Sequence, residues 1–114
     1  MARYMLLLGG ADVDKRSANP EYYASIQARY MDWVQKLSNA GQLAATYKLH
    51  DQVGARLTVR GGQVVDGPFV ETKDAVGGAF VIEASSLDEA TALARECPVL
   101  LLQNGYVEVR AVER

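Results

Sequence analysis

Tyr4-Met5-Leu6-Leu7-Leu8, closed by Gly9-Gly10, is apolar at every position, and its reading decides the fold. A strand with one wet face alternates apolar and polar side chains, whereas a strand with none needs cover on both sides. Only one positive charge, Arg3, stands before this run, which is too short for a secretory signal. It reads as a first strand. Elsewhere no uninterrupted apolar run exceeds that of Val99-Leu100-Leu101-Leu102, far below the roughly twenty residues of a membrane span.

Outward from this strand, a polar loop from Ala11 to Ala18 carries Asp12, Asp14, Lys15 and Arg16 and is expected to be mobile. Asn19-Pro20 then starts a helix, with Asn as the N-cap and Pro where a missing N–H costs nothing. Ile26, Tyr30, Trp33, Val34 and Leu37 form one apolar stripe, and Gly41 stands where the glycine after a helix belongs. The predicted helix is therefore about twenty residues long. Gln42 to Leu49 reads as a strand. Arg56 to Arg60 and Gln63 to Val65 flank Gly61-Gly62 as a hairpin, because two glycines readily take the positive φ of a tight turn. Another strand runs from Gly78 to Ala84.

Ser86 and Glu89 have the spacing of a capping box at the start of a second helix. Ala90, Leu93, Ala94 and Cys97 are its expected buried stripe, with Pro98 as its stop. A last strand alternates from Tyr106 to Val112. The order is strand, helix, strand with an inserted hairpin, strand, helix, strand. This predicts an α+β fold, a ferredoxin-like βαββαβ sheet with both helices on one face. Such a sheet leaves its other face bare, yet the first strand has no polar face. A second copy covering that face is the economical expectation, hence a homodimer.

Composition narrows the function classes. With 114 residues the chain fits a single domain, 1–114, large enough to need no metal or disulfide staple. It is 49% hydrophobic and 23% charged, an ordinary globular balance. Twelve Lys and Arg against fourteen Asp and Glu give a net charge of −2, opposite to the basic excess of a phosphate binder. Neither nucleic acid nor a membrane is an expected partner. The single Cys rules out an intrachain disulfide and suits a cytoplasmic location.

At Asp66-Gly67-Pro68-Phe69-Val70-Glu71-Thr72-Lys73, followed by Gly77-Gly78 and Phe80-Val81-Ile82, the chain resembles the YCII-related family, in its DGPF-domain branch. The likeness extends over Tyr4 to Leu7, Ala40-Gly41, Leu87 to Ala90, Cys97-Pro98 and Val107 to Arg110. It implies a ferredoxin-like dimeric α/β barrel, the fold expected above. The family's function is largely unassigned. Some bacterial members look like companions of alternative sigma factors, which implies a sigma-factor-linked partner; a few broader relatives are small-molecule enzymes. The resemblance also implies a dyad of a His on the first helix and an Asp just before a Pro after the second helix. By position these fall here at Tyr30 and Cys97, and neither matches. A phenol ordinarily titrates near 10, a poor acid–base group at neutral pH.

Each candidate site residue has a structural and a functional reading. Asp66-Gly67-Pro68-Phe69 reads as a rigid turn, or as a cleft rim with Asp66, Glu71 and Lys73 as polar groups and Phe69 as an apolar wall. His50, the only His, adjoins Asp51 in an exposed loop or in an oriented pair. Cys97 reads as a small buried hydrophobe rather than a nucleophile. Trp33 and Tyr30 read as core packing on the first helix, and Tyr22 and Tyr23 as facing a ligand instead. Arg56 and Arg60 share a strand face, either solvated or set to pair a carboxylate. No cofactor is expected, since phosphate loops, dinucleotide fingerprints and metal-spaced ligand clusters are all missing. Two functions remain. One is a ligand- or partner-binding regulatory module with a pocket near the Asp66 turn. The alternative is a cofactorless isomerase, lyase or monooxygenase using Asp66, His50 or Tyr30.

Overall fold

A computed structural model describes residues 1–10, 19–50, 54–67 and 76–113 of the chain. The loop from Ala11 to Ala18, expected to be mobile, lies outside them.

Strand β1 (Ala2–Gly9) pairs antiparallel with β5 (Val76–Ala84) and with β6 (Tyr106–Ala111), and β2 (Leu43–Lys48) pairs with the far side of β5. The sheet order is β2-β5-β1-β6. Helices α1 (Pro20–Asn39) and α2 (Leu87–Ala94) both pack on one face of it, an arrangement compatible with a ferredoxin-like fold. Strands β3 (Leu57–Arg60) and β4 (Gln63–Asp66) form a separate two-stranded sheet, the hairpin read from Gly61-Gly62. Both turn glycines take positive φ, +57° and +78°, which only a residue without a Cβ adopts at no cost.

Local chemistry sets the helix ends. The Asn19 side chain accepts the Glu21 N–H at 2.9 Å, Pro20 begins α1, and Gly41 follows it with φ +70°. Ser86 accepts the Glu89 N–H at 3.1 Å, and the Glu89 carboxylate accepts the Ser85 N–H in return. One expectation is corrected here. Helix α2 stops at Ala94, so Cys97 lies beyond it, heading a 3₁₀ turn over Pro98–Leu101. Proline drives the residue before it out of the helical region, and Cys97 is accordingly extended at φ −67°, ψ 127°. The helix therefore ends ahead of Cys97, not at Pro98.

Alternation along β1 is resolved by the helices. Tyr4, Leu6 and Leu8 are buried with Phe80, Ile82, Trp33, Leu37, Ala90 and Ala94 in one core. Met5 and Leu7 point the other way and are half-buried within the single chain. Ala79 and Val81, opposite them on β5, share that second face. The Cα atoms span 48 × 42 × 18 Å. The short dimension is the depth of one helix layer, with helices about 10 Å across, laid on one sheet.

Candidate functional site

Three side chains on α1 seat it against the rest of the molecule. Trp33 is buried, donates its Nε1–H to the Leu93 carbonyl at 3.1 Å, and meets Phe80 edge-on with centroids 4.9 Å apart. Leu37, one turn on, is fully buried. Between them, Lys36 pairs with Glu96 at 2.9 Å, tying the helix to the segment just before Cys97. These contacts hold the preceding turn of α1, and with it Tyr30, over Cys97.

The result is a hydroxyl–thiol pair. Cys97 is 2% exposed. Its sulfur accepts the Tyr30 O–H and the Val99 backbone N–H, both of which favour a thiolate. Burial outweighs them, and the thiol is pushed up to about 11. Burial likewise pushes the half-buried Tyr30 phenol well above its ordinary value, with the neighbouring Cys97 adding to the effect. Both groups are therefore neutral near pH 7, and the pair offers donors and a polarizable sulfur rather than charge. Tyr23, seven residues before Tyr30 on the same helix face, is half-buried beside it. Tyr22 is exposed and reaches the Leu101 carbonyl at 3.4 Å.

The other sequence candidates stand on different elements. Asp66 is the last residue of β4 and is exposed. Gly67 follows with φ +102°, its N–H donated to the Arg56 carbonyl at 2.7 Å, so the turn closes the base of the hairpin. Pro68, Phe69, Glu71 and Lys73 lie outside the described residues. His50 is exposed two residues past the end of β2. Arg56 and Arg60 are both exposed. Among the described residues, then, Tyr30 and Cys97 are brought together, while Asp66 belongs to the hairpin. The Val99 N–H on the sulfur was missed in the sequence; Pro98, which forces the chain to turn just after Cys97, was its one signal.

Among the described residues no three His, Cys, Asp or Glu side chains gather to hold a metal ion, and no helix is long and apolar enough to cross a membrane.

A two-helix layer over one antiparallel sheet, with a polar pair sealed at the helix seam, defines a small α+β domain. The chain belongs to the YCII-related family, whose domain profile matches residues 3–114. It is 34% identical over 89 residues to an uncharacterized protein of Rhizobium meliloti (strain 1021), covering 76% of this chain and 67% of that protein. Its fold is similar to that of 5-chloro-2-hydroxyhydroquinone dehydrochlorinase from Burkholderia phenoliruptrix AC1100, solved in complex with 2,5-dihydroxybenzoquinone. The TM-score is 0.51 at 15% identity, over 100% of this chain and 95% of that one.

Proposed function

We propose that the chain is a homodimeric regulatory module that binds a small molecule or a partner, with a pocket near the Asp66-Gly67-Pro68-Phe69 turn and no acid–base dyad at Tyr30 and Cys97. The observation that carries this reading is the pair itself. The two positions at which the family resemblance implies an acid–base dyad touch one another, yet hold a phenol and a thiol that burial keeps protonated. Such groups exchange no proton near pH 7, which takes away the acid–base step and favours binding over turnover. The dimer is supported by Met5, Leu7, Ala79 and Val81, apolar side chains on the sheet face opposite α1 and α2. A sigma-factor-linked partner follows from the family resemblance alone.

The enzyme reading, with Asp66, His50 or Tyr30 as the acid–base group, loses Tyr30 on these grounds and keeps two exposed candidates. Native mass spectrometry of the purified protein for a co-purified ligand tests the choice. With a ligand in hand, Asp66→Asn is expected to weaken its binding tenfold or more with the fold intact. Steady conversion of that ligand, abolished in Asp66→Asn or in His50→Gln, would replace the binding module by the enzyme.

A further inference from the structure

The β3–β4 hairpin spends apolar surface on water. Residues directly opposite in an antiparallel pair point to the same side, so Val59 faces the same way as Val64, and Leu57 the same way as Asp66. Leu57, Val59 and Val64 therefore form one face, and they are 66%, 71% and 69% exposed. The opposite face is half covered at Thr58 and Val65. Among the described residues the hairpin pairs with no other strand, and none of its side chains joins the core. A two-stranded hairpin of this size is marginal in water without something to pack on.

The shape of the molecule says what that something is. The radius of gyration is 15.9 Å, against roughly 13 Å for a compact chain of this length. The plate is only 18 Å deep, the thickness of the helix and sheet layers alone. The hairpin is thus an arm in the plane of the plate and does not fold back over its own open sheet face. Two plates stacked through that face would each bring an arm against the rim of the other. The area argument runs the same way. Four strands about 4.8 Å apart, of 8, 6, 9 and 6 residues, give the open face a footprint of roughly 450 Å². A stable interface takes about 800 Å² from each partner. The sheet face alone is a modest contact, and the arm supplies further apolar surface.

We propose that the β3–β4 arm seats its Leu57–Val59–Val64 face on a second copy of this chain, so that Asp66, on the same face, lines a site shared between two chains. This rests on the dimeric reading above and deepens it. Asp66 is exposed in its own chain, and the second copy provides the wall that makes a pocket beside it.

Val59→Asp/Val64→Asp places two charges on the arm without touching the core. Sedimentation equilibrium is expected to show its dimer dissociation constant raised tenfold or more over wild type. The circular-dichroism melt of the variant at monomeric concentration should match that of wild type. As a second measurement, hydrogen exchange of wild type should show the amides of 57–66 gaining protection as the concentration rises through the dimer range. A wild-type dimer that tolerates both charges, or arm amides indifferent to concentration, would overturn the shared site and leave the dimer standing. A wild type that stays monomeric at every concentration would overturn both.

Discussion

At Cys97 two hydrogen bonds to the sulfur compete with the loss of water, and the loss of water prevails. The consequence is a stability that depends on alkaline pH. The thiol rises from an ordinary value near 9 to about 11 on folding. Between those values the unfolded chain has released its proton and the folded chain has not, so stability falls as pH rises through this window. The effect approaches about 3 kcal/mol at the top of the window, and the raised Tyr30 phenol acts in the same direction above pH 10. Thermal midpoints measured from pH 8 to 11 should decline, and Cys97→Ala should decline less steeply. Cys97 as a buried hydrophobe was legible, because a lone thiol beside an apolar run belongs inside. Its partner was legible only by position, through the family likeness. The Val99 N–H was not, because backbone donors carry no residue identity and Pro98 marks only the turn.

The elements follow from capping and spacing. Asn19-Pro20 and Gly41 bound α1 in sequence and in structure, and Gly61-Gly62 turns the hairpin as read. The Ile26–Trp33–Leu37 stripe is buried, and it makes α1 the clamp on the sheet. Trp33→Ala would leave a cavity against Phe80 and take the indole N–H from the Leu93 carbonyl, which keeps the Glu96 N–H, at a cost of about 3–5 kcal/mol. Chemical denaturation should show that loss; an unchanged midpoint would put Trp33 outside the core. Helix α2 was read three residues too long, because an apolar stripe at helical spacing runs through Cys97 while the backbone cannot. The constraint that proline places on its predecessor outweighed the periodicity. The site was less legible than the fold for a related reason. Spacing shows which side chains share a face within an element, but not which element that face will meet. Tyr30 and Asp66 are thus alternatives for one acid–base role in the sequence, though they stand on α1 and on the arm.

The molecule as a whole is a plate with one finished face. Hydrophobic side chains on the other, Met5 and Leu7 against Val81 and Ala79, account for a first strand with no polar side. Sedimentation at micromolar concentration should accordingly return twice the chain mass. The tight meeting of strand ends near the 3₁₀ turn completes the finished face: a Cβ on Gly105 would collide with the Val99 carbonyl, and one on Gly10 with that of Asn104. Cys97 lies sealed behind that same segment, and it is the only thiol in the chain. A thiol reagent meets it only when α1 lifts from the 3₁₀ turn. The wild-type protein therefore carries its own clock: the rate at which one sulfur is modified counts how often this seam breathes, with no label introduced.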